Sequence, residues 1–310
     1  MKAQYQRPDT IPFPDATPYS LQLATLGKML FFDPRLSGPQ NMSCVACHNP
    51  SFGWEVPVDR AVGASNVKLP RQAPTILNAA WGKHFFWDGR ADTLEHQAIG
   101  PITAAAEMNN TFDVIVPRVR ALAGYRTWFA QIFPDSGVTQ DTILRAIATY
   151  ERTVVSGTTP FDRWVEGDEA ALPQAAKRGF ILFNTKAHCA LCHQGWNFTD
   201  QDFHDIGLDT TDLGRAGVLG ADAPETARYA FKTPGLREVA ARAPYMHNGA
   251  LADLEAVIWH YASGGVQRPS LSPQIKPLAL SDQEVADLVA FLESLSADET
   301  YIPAPILPAD

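Results

Sequence analysis

The chain has 310 residues, room for about two domains of ordinary size, and 45% of them are apolar, enough for real cores. Its 25 Lys and Arg against 34 Asp and Glu give a formal charge of −9, which argues against nucleic-acid binding and permits docking to a basic partner. No apolar run reaches membrane-spanning length, and Met1 to Tyr5 carries no hydrophobic signal core.

Tyr5 to Pro18 is rich in proline and aromatics and reads as an extended arm. Thr17-Pro18 offers an N-cap and a first-turn proline for a helix carrying Leu21, Leu26, Met29 and Leu30, which breaks at Asp33-Pro34. Cys44-Val-Ala-Cys47-His48 follows. Asn49 to Lys83 is loop-like, interrupted by Pro50, Gly53, Pro57, Gly63, Pro70 and Pro74, and contains neither histidine nor methionine. Helical patterns resume at about Asp92, near Thr111 to Leu122 and from Thr139 to Val155, and Phe161 to Asp168 reads as a hinge. Gly179-Phe-Ile-Leu-Phe183 then precedes Cys189-Ala-Leu-Cys192-His193, as Gly27-Lys-Met-Leu-Phe31 precedes the first motif. Gly195 to Arg228 reads as irregular. Asp253 caps a helix to Ser263 that Gly264-Gly265 ends, and Ser281 with Glu284 opens a last helix with an apolar face from Val285 to Leu295. The expected fold is mainly α: two cytochrome c-like domains, residues 1–160 and 161–310, each with one covalently bound haem c.

The two C-x-x-C-H motifs consume all four cysteines. At that spacing two thiols add to the vinyl groups of one haem, and the next residue ligates its iron. A zinc ribbon needs no histidine after its knuckles, and a disulfide framework suits short secreted chains. Haem is joined to such motifs outside the cytoplasm, so a mature periplasmic protein is expected. Cys44, Cys47, Cys189 and Cys192 are the expected attachment points, with His48 and His193 on the irons.

Leu26 to Ser37, Phe86-Trp-Asp-Gly-Arg90, Gln97 to Pro101, Glu107-Met-Asn109, Phe161-Asp-Arg163 and Ala243-Pro-Tyr-Met-His247 together resemble the bacterial dihaem cytochrome c peroxidase family. Within it the chain looks like the MauG branch, including MbnH-type enzymes, which oxidise residues of another protein with peroxide. The resemblance implies that Trp87 relays charge between the haems, that Glu107 is the distal acid–base group and Gln97 the distal amide, and that Pro101 walls the same pocket. It puts Tyr261 on the second iron where peroxidases of the family have methionine. His260 is a rival that points about 100° away on the same helix. In reductively activated relatives a histidine after the first motif closes that haem; its absence here leaves the first iron open. The family also carries a Ca²⁺ between its haem domains. Its ligands map to Gln72, where the family has asparagine, and to the carbonyls of Arg242 and Pro244. His247 maps beside the second haem; His84, His188 and His204 carry no specific role.

A phenolate favours oxidised iron, where a thioether favours reduced iron. The expected function is therefore a periplasmic oxidoreductase in which hydrogen peroxide, through a bis-Fe(IV)-type state, oxidises tryptophan or tyrosine side chains of a partner protein. The alternative is a peroxidase fed electrons by a small cytochrome or cupredoxin. Trp196 is a candidate exit for holes. MauG has a tryptophan just before its second motif, where this chain has Lys186, Ala187 and His188. That departure points away from a quinone-cofactor precursor and toward kynurenine formation on a partner.

Overall fold

A computed structural model describes residues 1–298 and 302–309. In chain order the helices and strands are α1 (Leu21–Phe32), α2 (Leu94–Thr103), α3 (Phe112–Ala121), α4 (Ala123–Ile132), α5 (Gln140–Thr153), α6 (Pro160–Val165), α7 (Gln174–Asn184), β1 (Phe203–His204), α8 (Arg215–Leu219), β2 (Phe231–Lys232), α9 (Leu254–Ser263) and α10 (Asp282–Glu293). The fold is mainly α, and β1 and β2 pair antiparallel as a minimal two-stranded sheet.

Two helix crossings found the two cores. α1 crosses α5 and α7 crosses α10, and each crossing brings backbone against backbone at a glycine. A Cβ on Gly27 would lie 1.9 Å from the Ala146 carbonyl oxygen, and one on Gly179 would lie 1.9 Å from that of Asp287. The echo Gly27 to Phe31 and Gly179 to Phe183 is thus a packing requirement used twice. Around the first crossing sit Leu26, Leu30, Phe31, Phe129, Ile143 and Ile147. Around the second sit Phe161, Phe180, Phe183, Phe198, Leu288 and Phe291. Fully burying each such side chain stabilises by about 1.5–3 kcal/mol.

The termini exchange partners. Tyr5, with 0% exposure, inserts among Phe161, Phe180 and Phe198 of the second core and donates its hydroxyl to Asn184 Oδ1 at 2.8 Å. Ile302 and Leu307 pack on the first core, where Arg35 Nη2 donates to the Pro308 carbonyl at 2.9 Å.

Three elements differ from the sequence reading. α1 starts at Leu21 because the Ser20 hydroxyl accepts from Leu23 N–H at 3.1 Å, while Thr17 is buried and takes a bond from Arg145. Phe161 to Asp168 is no bare hinge. Pro160 in the first turn and a reciprocal Thr159–Asp162 capping box make α6, which buries Phe161 and Trp164. α4 continues almost directly from α3 and buries Tyr125 and Phe129.

Gly27→Ala and Gly179→Ala should each destabilise the holoprotein by about 1–3 kcal/mol, the usual cost of overpacking. Thermal unfolding checks this; unchanged melting in both would mean that the helices part freely.

Candidate haem sites and the seam between them

The two motifs are built alike. Cys44–Ala46 and Cys189–Leu191 each form one 3-10 turn, and the histidine N–H closes onto the first cysteine's carbonyl, at 2.9 Å in both. His48 Nδ1–H donates to the Trp54 carbonyl at 3.2 Å, and His193 Nδ1–H to that of Phe198 at 2.9 Å. A carbonyl only accepts, so the tautomer is fixed and Nε2 is left for iron. Burial lowers both imidazoles, His48 to about 4, which keeps them neutral as a ligand must be. Burial also pushes the Cys47 thiol up to about 11 and that of Cys189 to about 12. These residues fit two covalently held haems.

A deep cavity lies beside the second motif, lined by Cys189, Cys192, His193, Leu254, Ile258, Leu288 and Leu292. α9 runs along it, capped by Asp253 Oδ1 accepting from Ala256 N–H at 2.7 Å. From α9, Tyr261 faces this cavity. Its phenol is raised by burial and then by the charges of Cys192 and Cys189, which sets it close to the motif sulfurs. His260 does not line the cavity; its Nε2 donates to the Ile206 carbonyl at 3.0 Å. Met246 also lines it. His204 is held by Asp200 at 2.9 Å near Cys192, and His84 by Asp92 at 3.0 Å.

At the first site, α2 carries Gln97 and Pro101 one turn apart on one face. Pro101 has no N–H to give to the Gln97 carbonyl. Glu107 follows in a loop clamped by two backbones. Ala64 N–H donates to the Glu107 carbonyl at 2.7 Å, and Gly38 N–H to that of Met108 at 2.8 Å. A Cβ on Gly63 would lie 1.7 Å from the Ala106 carbonyl oxygen. Burial raises the Glu107 carboxyl, against the pull of Arg90, and its charge is felt at Cys47. It therefore lies within electrostatic reach of the first motif.

The segments that follow each motif repeat with an offset of 160 residues. Phe85 bridges Ala91 as Tyr245 bridges Leu251. Phe86 and Met246 both have positive φ, as do Gly89 and Gly249. α2 and α9 start at Leu94 and Leu254, each from a side-chain N-cap. In this register Pro101 takes the position in the first unit that Tyr261 takes in the second. A residue with no donor atom stands where its counterpart offers a phenol. Trp87 likewise corresponds to His247, and Gln72 to Lys232.

The repeat closes on itself at the seam. Lys232 N–H donates to the Trp87 carbonyl and Gln72 N–H to the His247 carbonyl, both at 2.8 Å. Trp87 Nε1–H donates to the Gln72 carbonyl at 2.9 Å, and its ring meets His247 edge-on at 6.5 Å. His247 is stacked on Phe231 at 3.7 Å, and burial lowers its imidazole to about 4. Arg71 joins Asp88 at 2.6 Å to Asp212 at 2.7 Å across the same seam. At the Pro244 carbonyl the Gln72 side chain stands directly, Nε2 donating at 2.6 Å. Arg242 pairs with Glu55 at 3.0 Å.

Two residues were not found from sequence. Trp81 meets Trp196 edge-to-face at 4.7 Å, and Trp81 also lines the second cavity. No local pattern links residues 115 positions apart. Glu151 on α5 is 4% exposed, its Oε2 lacks a hydrogen-bond partner, and it lies within electrostatic reach of Cys44. Its place on the buried face of α5 breaks the polar-out pattern, which was the signal available.

Fold and sites together define a dihaem c-type enzyme. A family model described as di-haem cytochrome c peroxidase matches residues 21–170, and one for cytochrome c matches residues 176–296. The methylamine utilization proteins MauG of Methylorubrum extorquens and Methylophilus methylotrophus are 51% and 46% identical, each over 99% of this chain and over 88% and 92% of their own lengths. A solved MauG-like protein associated with microbial copper homeostasis superposes with a TM-score of 0.86 at 33% identity, covering 94% of this chain and 95% of that one. Relatives at 36–37% identity are named cytochrome-c peroxidases. The chain belongs to the dihaem cytochrome c peroxidase and MauG family. It is a haem-dependent oxidoreductase with two haem c groups, and no helix among the described residues is long and apolar enough to cross a membrane.

Burial, with Glu95 adding to it and Arg152 opposing it, pushes the Glu151 carboxyl up to about 8 from an ordinary 4.5. The folded chain holds a proton there that the unfolded chain releases, so this group's contribution to stability falls as pH rises from about 4.5 to about 8. Glu151→Gln should therefore melt above the parent by a margin that widens from pH 5 to 8 and then levels. A margin independent of pH would contradict the assignment.

Proposed function

We propose that this protein is a periplasmic, peroxide-driven oxidase of aromatic side chains on a partner protein. The observation that carries the reading is Tyr261, a half-buried phenol facing the second motif's cavity and close to its sulfurs, while its counterpart at the first site is Pro101. Loop 49–83 supports it further, because it holds neither a histidine nor a methionine to close the first iron.

Bound haem c supplies a redox-active iron at each site, one to meet peroxide and one to share its oxidising equivalents. With haem c bound, Glu107 would take a proton from one peroxide oxygen and return it to the other. The raised Glu107 carboxyl is suited to giving that proton back. Gln97 orients the peroxide, and Pro101 closes the wall. Each peroxide takes up two electrons and two protons to become two waters, and the electrons come from the partner. Trp87 carries charge across the seam. Trp196 then serves as exit: it is half-buried and paired with Trp81 at the second cavity.

The relatives' names favour a partner in methylamine utilisation over the kynurenine-forming role expected from Lys186 to His188. The methionine of a peroxidase's second haem is replaced here by a hard oxygen donor, which disfavours the electron-fed alternative.

Three variants test these roles. Tyr261→Phe should abolish the second haem's native electron paramagnetic resonance signal and spare the first; two intact signals would remove Tyr261 from the iron. Glu107→Gln should slow peroxide activation by about 10²-fold and flatten a rate that otherwise rises with pH, because the base acts only when ionised. Unchanged kinetics would take Glu107 out of the mechanism. Excess peroxide without partner should add oxygen at Trp196 or Trp81 by peptide mass spectrometry, and Trp196→Phe should abolish it. Oxygen found only elsewhere would relocate the exit.

A further inference from the structure

The family resemblance implies a calcium ion held by the side chain at position 72 and the carbonyls of Arg242 and Pro244. The residues present do not fit it. Gln72 is 3% exposed, and its Nε2 donates straight to the Pro244 carbonyl at 2.6 Å. The side chain and the carbonyl stand in direct contact, and in such a contact it is the NH₂ end of the amide that an accepting carbonyl takes. An N–H group cannot ligate calcium, which takes oxygen donors at about 2.3–2.6 Å.

The surrounding charges point the same way. Arg242 and Lys232 line the adjoining cavity together with Gln72, and burial lowers the Lys232 amine to about 8. The Glu55 carboxylate, which lines the same cavity, is paired with Arg242 at 3.0 Å.

Gln72 meanwhile does three jobs at once. Its N–H holds the His247 carbonyl, its carbonyl holds Trp87 Nε1–H, and its side chain holds Pro244. We propose that the Gln72 carboxamide replaces the inter-domain ion, so that this chain keeps its haem domains and Trp87 in register without calcium. The relay consequence rests on the reading of Trp87 given above; the absence of calcium does not.

Metal analysis of the holoprotein purified from calcium-containing buffer should find well below one calcium per chain. A chelator should leave both haem resonance signals and the melting temperature unchanged. Gln72→Ala should melt several degrees lower with or without calcium. Gln72→Asn, one methylene too short to reach Pro244, tests the same contact if the alanine variant does not fold, and should gain stability on adding calcium. Stoichiometric calcium in the parent, a chelator effect reversed by calcium, or variants as stable as the parent without calcium would each overturn the proposal. None of these readouts involves peroxide, so their failure is separate from any failure of the proposed function.

Discussion

Trp87 is held at both of its polar ends, its indole N–H by the Gln72 carbonyl and its own carbonyl by the Lys232 N–H. That grip is the constraint on which the two-site arrangement depends. Each haem motif is fixed within its own core by a glycine-permitted helix crossing, but nothing in either core sets one motif relative to the other. The seam does so through reciprocal backbone bonds, the Arg71 ion pairs and the exchanged termini. A misplacement of about 1 Å caused far from the chemistry can cost on the order of 10²-fold in rate.

On the proposed reading, the repeat lets one scaffold build two unlike haem sites. Equivalent positions share backbone geometry, down to the positive φ at Phe86 and Met246, yet differ in chemistry. Trp87 faces His247, and Gln72 mirrors Lys232. Most consequential is the eighth residue of each ten-residue helix, Pro101 on α2 and Tyr261 on α9. One cannot bind iron and the other brings a hard oxygen donor. Divergence at a few side chains is enough, because the duplicated backbone delivers both to the same place.

Much of this was legible in the chain. The two C-x-x-C-H motifs pointed to the cofactor, and the Gly27 and Gly179 echo marked one unit used twice, although that each glycine permits a helix crossing shows only in the fold. Asp253, Gly264 and the Ser281–Glu284 box bounded α9 and α10 where they are found. What sequence could not give was long-range. Tyr5 reads as part of a loose arm until Phe161, Phe180 and Phe198 surround it. Glu151 looks like a helix-surface carboxylate until α1 and the first motif cover it. Gln72 reads as a longer asparagine, because the length of one methylene decides between ligand and hydrogen bond only when Pro244 is in place.

The central claim is an asymmetry of coordination that lets the oxidised protein react at once. Stopped-flow spectroscopy of the all-ferric holoprotein mixed with one equivalent of peroxide tests it most directly. The account predicts an immediate change in the haem absorption bands with no electron donor present. A spectrum that stays still until one electron is supplied would contradict it and return the chain to the electron-fed peroxidases.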